Sequence, residues 1–415
     1  MTLRALLLDF NSYFASVEQQ LGPELRGKPV GVLPVLAETT CCIAASYQAK
    51  RLGIKTGTTV AEARRLCPQV VFVQARPSVY VDMHHRLMDV VNSVIAITEV
   101  LSIDEVVCEL TGSWQREEVV VRLAKAAKAK IRERVGECLT SSVGIGPNRF
   151  IAKMASNMQK PDGLTVVHEN ELPQALFRLK LGDIHGVGRQ MLARLERYGI
   201  HTVEALCQAD RATLRRIWGG VEGERLYDRL RGVDVPVVPT RRGSIGHSHV
   251  LPPALRYDQG AYAVLSKLTQ KAARRMRAEG FLAQRFEVWV DWRHRDPWVA
   301  EARFNAMADT LGLLRLLDTL WADRPRGREP IKVGVVLKGL TRASQASLPL
   351  FPEAEAPHPK AVPGLDAVLD KLHQRFGNDA VYFGGAFRAL HEAPMRISFN
   401  HIPDLALEED SARPA

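Results

Sequence analysis

The sequence predicts an α+β protein of several domains, and three observations carry that prediction. At 415 residues the chain exceeds what one hydrophobic core organises, so two to four domains are expected. Its first half alternates short apolar runs with patterns of helical period, which builds a sheet backed by helices. After the Val- and Pro-rich stretch 233–240, which cannot continue a helix, a second periodic unit reads β-α-β-β-α-β.

Taken in order, Leu3 to Leu8 is an apolar run that ends in Asp9, and Phe14, Val17 and Leu21 then fall at helical spacing. A strand therefore feeds straight into a helix and leaves Asp9 at the strand's carboxyl end. Short elements, among them 44–52 and 60–66, fill the span between Pro23 and Pro77. Met83, Leu87, Val90, Val91 and Val94 keep one face of a long helix apolar, and a strand pair, Val100–Ser102 with Val106–Leu110, follows it. A helix through Val119, Val120, Leu123, Ala127 and Ile131 precedes a strand at Leu139–Val143.

Residues 172–231 read as mostly helical. They contain His185-Gly186-Val187-Gly188, where Gly186 and Gly188 let backbone N–H groups approach a phosphate, and Tyr198-Gly199-Ile200, which suits a helix-hairpin-helix unit. In the second unit, strands are expected at 244–251, 281–292, 298–304 and 331–337, and helices at 261–278 and 307–321. Phe286, Val288, Val290 and Trp292 alternate onto one face. Beyond Leu340 come Ser347-Leu348-Pro349-Leu350-Phe351, a Pro- and Ala-rich tether at 352–363, a helix at 365–376, and a disordered end at 408–415.

Lys and Arg number 56 against 46 Asp and Glu, a formal net charge of +10, which favours a polyanionic partner. Residues 241–345 alone hold 19 basic against 10 acidic residues, a net +9. The six cysteines show no metal-ligand spacing and sit mostly in apolar text, as reduced core residues do. No signal-type segment and no run of about 18 apolar residues occurs, so a soluble, cytoplasmic protein without a membrane partner is expected.

The chemistry points to Leu101-Ser102-Ile103-Asp104-Glu105-Val106-Val107, read together with Asp9. Carboxylates at the ends of buried strands are costly unless a cation compensates them, and three that converge suit a hard divalent metal and phosphoryl or nucleotidyl transfer. From these residues alone a solvated hairpin tip and a helix N-cap explain the same text equally well.

The surrounding motifs resemble the Y-family (translesion) DNA polymerases. Leu8-Asp9-Phe10-Asn11-Ser12-Tyr13-Phe14-Ala15-Ser16-Val17-Glu18 is similar to that family's first motif, and Ser102-Ile103-Asp104-Glu105 to its catalytic hairpin. Residues 142–156, Ser-Val-Gly-Ile-Gly-Pro-Asn-Arg-Phe-Ile-Ala-Lys-Met-Ala-Ser, and then Lys160-Pro161-Asp162-Gly163, resemble its most recognisable signature. The core motifs resemble the polymerase IV branch; Tyr382-Phe383-Gly384-Gly385 and Met395-Arg396 resemble the tail of the polymerase V catalytic subunit.

The resemblance implies a right-hand polymerase with a palm at 1–22 and 78–170, fingers at 23–77, and a helical thumb at 171–232. A linker at 233–243, a βαββαβ little finger at 244–340 and a clamp-binding tail at 341–415 follow. It implies two Mg2+ ions held by Asp9, Asp104, Glu105 and the Phe10 carbonyl, with Asp9, Asp104 and Glu105 as the catalytic set. Tyr47, Lys50 and Lys160 would bind the nucleotide phosphates, and Phe14 would exclude a ribose 2′-hydroxyl. Lys50 replaces the Arg common in the polymerase IV branch, and Asn11 follows the polymerase V form. Primer-template DNA would be held without sequence preference by Gly186, Gly188, Arg241, Arg242, Ser244, Lys271, Arg274, Arg275 and Arg277.

Further implied partners are deoxynucleoside triphosphates, a sliding clamp bound through Leu348, Leu350 and Phe351, and an accessory mutagenesis subunit. The leading expectation is thus an error-prone, template-directed translesion DNA polymerase in damage tolerance. The competing one is a catalytically silent protein that binds DNA and clamp, which would not need all three carboxylates.

Overall fold

The computed structural model describes residues 2–238, 241–293, 295–346, 364–393, 395 and 402–405. The chain opens with β1 (Ala5–Phe10) and α1 (Tyr13–Leu21). A small unit intervenes: β2 (Val30–Leu33), β3 (Ala44–Ala45), α2 (Tyr47–Arg51), α3 (Val60–Leu66) and β4 (Val71–Gln74). The first unit then resumes with α4 (Pro77–Asn92), β5 (Glu99–Ser102), β6 (Glu105–Glu109), α5 (Glu117–Arg134), β7 (Ser141–Gly146), α6 (Arg149–Met158) and β8 (Leu164–Val166).

These strands form a five-stranded sheet of order β5-β6-β1-β7-β8, with the wholly buried β1 at its centre. Side chains alternate across a strand, so β1 serves two layers. Leu6, Leu8 and Phe10 join the large core under α4 and α5. Ala5 and Leu7 pack instead with Val107 and Ala152 of α6. Asp9 shares the parity of Ala5 and Leu7, which puts its carboxyl on the α6 side. Close packing there needs a glycine: a Cβ on Gly144 would lie 1.9 Å from the Ala152 carbonyl oxygen.

The inserted unit has its own three-stranded sheet, order β3-β2-β4, and its own core around Leu33, Ile54 and Val60. Four helices follow the palm: α7 (Arg189–Arg197), α8 (Val203–Gln208), α9 (Arg211–Trp218) and α10 (Val221–Arg229). Phe150, Ile151 and Met154 of α6 belong to their core, so α6 packs on the palm sheet with one side and on the thumb with the other. Of the expected helix-hairpin-helix, the limb before His185 is a single 3-10 turn, Leu181–Asp183.

The second unit runs β9 (Ser244–Val250), α11 (Asp258–Ala278), β10 (Phe281–Trp292), β11 (Trp298–Met307), α12 (Thr310–Ala322) and β12 (Pro330–Lys338), the order expected from periodicity. Its antiparallel sheet has the order β11-β10-β12-β9, with the two-residue β13 (Thr341–Arg342) added to β10. Phe286, Val288, Val290 and Trp292 are buried with α11 and α12, which leaves the opposite sheet face open. Among the described residues the last α-helix is α13 (Leu365–Phe376), at the expected bounds, and a 3-10 turn at Gly384–Ala389 follows it. Two departures concern the palm. β7 begins two residues later than expected, because Leu139 enters the core from the loop, and β8 is an element the sequence pattern does not predict.

Candidate active site

The β5–β6 hairpin turns at Ile103 and Asp104, and Glu105 is already the first residue of β6, paired across the sheet with Asp9. Cross-strand partners share a face, which is why Asp9 and Glu105 both look toward α6. Asp104 sits in the turn, where its backbone carbonyl accepts from the Phe10 N–H at 2.8 Å and its carboxylate accepts from the Ser102 hydroxyl at 2.6 Å.

Two lysines compensate this charge. Lys153 of α6 donates to Asp9 Oδ2 at 2.8 Å and also to Glu105 Oε1, while Lys160 lies 2.7 Å from Asp9 Oδ1. Burial alone would push the Asp9 carboxyl up, but Lys160 and Lys153 outweigh it and hold it below the usual carboxylate range. Asp104 is not clasped in this way. Burial above all, then the charges of Asp9 and Glu105, push it up to about 6 in spite of the Ser102 hydroxyl.

Among the described residues no three acidic, His or Cys side chains are already gathered around one point as a metal site. Lys153 and Lys160 between them hold both oxygens of Asp9, and Lys153 also holds one of Glu105. The donor set still fits a hard divalent ion: three carboxylates at the end of two adjacent strands, one of them burdened by like charge that a cation would relieve. Lys153 was missed by reading the sequence, although a lysine between the buried Ala152 and Met154 of an otherwise apolar helix face was a usable signal.

Asp9, Asp104 and Glu105 open onto a pocket of about 360 Å³ that also takes in Phe10, Phe14, Tyr47, Lys50, Lys153 and Lys160. The structure thus brings together every residue expected around the nucleotide. Phe14 is buried and stacks on Tyr80, ring centroids 4.6 Å apart and 21° from parallel. Tyr80 is held in turn by its hydroxyl on Glu18 at 2.8 Å, and Glu18 is clasped by Arg76. Lys50 is exposed as a residue, but its ammonium rests 4.6 Å from the Tyr47 ring centre, and desolvation there together with Lys160 lowers its pKa. Burial pushes the Tyr47 phenol up to about 12.

Two residues beside this pocket explain its shape. Asn11 turns away from it: its Oδ1 accepts from the Asp162 N–H at 2.8 Å and its Nδ2 donates to Ser142 at 3.0 Å, which ties down the turn that carries Lys160. Ser12, which lines the pocket, takes a left-handed conformation (φ 49°), and its hydroxyl is buried and without a hydrogen-bond partner among the described residues.

The expected DNA contacts divide. Gly186 (φ +87°) and Gly188 sit on open surface, where an added Cβ would meet nothing within 4 Å. Arg241 and Ser244 are exposed, whereas Arg242 pairs with Glu279. The α11 cluster is corrected by the structure: Lys271, Arg274 and Arg275 are buried, at 6 %, 8 % and 6 % exposure. Lys271 donates to the Ala393 carbonyl, Arg275 pairs with Glu279, and Arg277 clasps Asp370. A helix so covered cannot present these groups to a duplex. Leu348, Leu350 and Phe351 lie outside the described residues.

The chain matches the impB/mucB/samB family over residues 8–157 and that family's C-terminal domain over 242–350. Residues 182–234 match a thumb domain described for DNA polymerase-iota. DNA polymerase IV of Moorella thermoacetica is 36% identical over 392 residues, covering 91% of this chain and 94% of that protein. The chain belongs to the Y family of translesion DNA polymerases. DNA polymerase IV 1 of Bacillus subtilis is 28% identical over 405 residues, 95% of each chain. Among solved structures, a Y-family chimera built on Dbh aligns with TM-score 0.69 at 25% identity, over 82% of this chain and 99% of that one. An insertion ternary complex of Dbh DNA polymerase aligns with TM-score 0.53, also at 25% identity, over 81% and 98%.

This Y-family protein is therefore a DNA-directed DNA polymerase of the translesion class, and the silent accessory role is not favoured. Enzymes of the family are metal-dependent. No helix among the described residues is long and apolar enough to cross a membrane.

Proposed function

We propose that the protein extends a DNA primer opposite damaged template by nucleotidyl transfer at Asp9, Asp104 and Glu105, with two Mg2+ ions bound by these carboxylates and the Phe10 carbonyl. Bound there, the ions would stabilise the attacking and departing oxygens of an in-line displacement. What supports the reading is that three carboxylates, Asp9 on β1, Glu105 on β6 and Asp104 in the turn before it, line one pocket with Phe14, Tyr47, Lys50 and Lys160.

The chain's own residues do the rest. Lys160, Lys50 and Tyr47 meet the triphosphate of the incoming nucleotide, and the Ser12 hydroxyl accepts from or donates to a polar atom of that nucleotide. Lys50 is a point charge where a guanidinium would grip two oxygens, so it attracts the phosphate without fixing its orientation. Phe14 is backed by Tyr80 and cannot swing aside for a ribose 2′-hydroxyl.

Primer-template DNA lies along the thumb hairpin at Gly186 and Gly188, past Arg241 and Ser244, and onto the open face of the second sheet. There Arg285, Arg303, Lys332 and Lys338 replace the α11 cluster as phosphate contacts. They share the face opposite the buried Phe286 and Val288, and Arg303 is 82 % exposed in its side chain. A clamp contact through Leu348, Leu350 and Phe351, an accessory mutagenesis subunit and a cytoplasmic location complete the reading; six free cysteines agree with a reducing compartment.

Primer extension on undamaged and abasic templates with Mg2+ tests it. Wild type should extend both, and Asp104→Ala should extend neither while it still binds primer-template. Extension by Asp104→Ala at the wild-type rate would remove the catalytic assignment.

A further inference from the structure

The covering of α11 is not incidental. The stretch 364–393 lies beyond the family match that ends at residue 350, and it engages the helix along most of its length. At one end Asp366 and Asp370 of α13 clasp Arg277, with Asp370 bidentate at 2.8 and 2.7 Å, and Asp366 also takes the Thr310 N–H that opens α12 at 3.2 Å. In the middle the Phe383 N–H donates to Gln270 at 3.0 Å. On either side of Gln270, Lys267 donates to the Leu390 carbonyl and Lys271 to that of Ala393 at 3.0 Å. Ala389 and Ala393 are buried members of the little-finger core.

The next described residue, Met395, belongs to a different core. It is 4 % exposed within the palm cluster, and Ile402 and Leu405 pack against the same cluster. Two residues of extended chain span at most about 7 Å, so Ala393 in one domain's core and Met395 in the other's hold the two domains together at that point. A second contact joins the little finger to the fingers: Arg256 hydrogen-bonds the Thr39 hydroxyl.

We propose that residues 364–393, together with Met395, act as an intramolecular strap whose docking surface is the basic outer face of α11, and that this strap fixes the little finger against the palm. The occupant fits the surface by chemistry. Carboxylates of Asp366 and Asp370 and the backbone carbonyls of Leu390 and Ala393 answer a row of Arg and Lys side chains one to two helical turns apart. The basic excess of α11 therefore holds the enzyme's own C-terminal segment, and phosphate contact is left to the opposite, sheet face. In a polymerase whose first and second units have separate cores, such a strap sets how far the little finger turns when DNA enters.

The test is a distance distribution in the full-length chain. Spin labels are placed through unnatural residues at the exposed positions Lys125 of the palm and Val299 of the little finger, and measured by pulsed electron resonance without DNA. Wild type should give one narrow distance. Asp366→Asn with Asp370→Asn, which loosens the α13 anchor, and separately Met395→Ala, which loosens the palm anchor, should each broaden it and add a longer component. Near-ultraviolet circular dichroism is the control for retained packing of the labelled domains. A wild-type distribution as broad as the variants', or an unchanged narrow distance in either variant, would overturn the strap.

Discussion

Lys153 is the side chain on which the electrostatics of the carboxylate site turn, and Lys153→Met isolates its charge while it keeps most of its stem. The ammonium is shared between Asp9 and Glu105, whose side chains are 7 % and 23 % exposed. Breaking a buried ion pair costs about 3–5 kcal/mol when the survivor is left with no partner. Asp9 keeps Lys160, and Glu105 keeps some water, so a loss of about 2 kcal/mol is the expected effect in metal-free protein. A divalent cation would restore what the lysine supplied. Magnesium should therefore raise the stability of the variant by more than it raises wild type, since the gain from a bound ligand follows its affinity for the folded state. The assay is equilibrium unfolding in urea, with and without saturating Mg2+, followed by tryptophan fluorescence. A variant as stable as wild type without metal, or an identical Mg2+ increment in both proteins, would refute the role of Lys153 as the compensating charge.

Other consequences follow from the same geometry. Asp104 titrates near 6 when folded against 3.8 as a free side chain, so between those values the folded state binds more protons. Stability from this group is greatest below pH 4 and falls by about 3 kcal/mol as pH rises through 6, and Mg2+, which prefers the ionised form, should cancel that fall; unfolding curves from pH 4 to 7 read both. Phe14→Leu should raise ribonucleotide incorporation, and Tyr80→Leu should do so more weakly by freeing the Phe14 ring; unchanged sugar discrimination in Phe14→Leu would remove Phe14 from that role. Neutralising Lys332 and Arg303 together should lower the salt slope of primer-template binding by about two, one for each phosphate that no longer meets a cation, whereas Arg274→Met should leave it as it is. A slope that responds only to Arg274 would return the α11 cluster to the DNA interface.

Much of this was legible because it rests on local period and on neighbours in sequence. The strand that ends in Asp9, the hairpin around Asp104 and the whole βαββαβ order are patterns of two and of 3.6 residues, and the structure repeats them to within a few residues. The pairing of Asp9 with Glu105 was not local, since it depends on β1 lying beside β6 with this register. Lys153 lies inside the motif at 142–156 yet drew no role, because nothing in sequence says which side of α6 meets β1; Gly144, which admits that helix, explains it only in three dimensions. The basic run of α11 misled for the same reason. Its counter-charges at Asp366 and Asp370 stand some 90 residues away, as the 93-residue separation of Arg277 and Asp370 shows, so a covered face and a solvated one read alike.

Helix α6 links these parts into one mechanism. Its Ala152 rests on the sheet beside Leu7, its Phe150, Ile151 and Met154 sit in the thumb core, and Lys153 between them reaches the carboxylates. The thumb is therefore not hinged on the catalytic edge but built on the same helix. His185, at the thumb hairpin, lines one cleft with Asp104, Glu105 and Lys153, and burial, followed by Lys153, holds its pKa below the ordinary histidine value. On the proposed function, a primer strand held at Gly186 and Gly188 would be referred to the carboxylates through this one helix. The fingers and the little finger have cores of their own. If the strap holds as proposed, the freedom of the little finger to adjust to a distorted template would be set by how firmly the C-terminal segment holds α11.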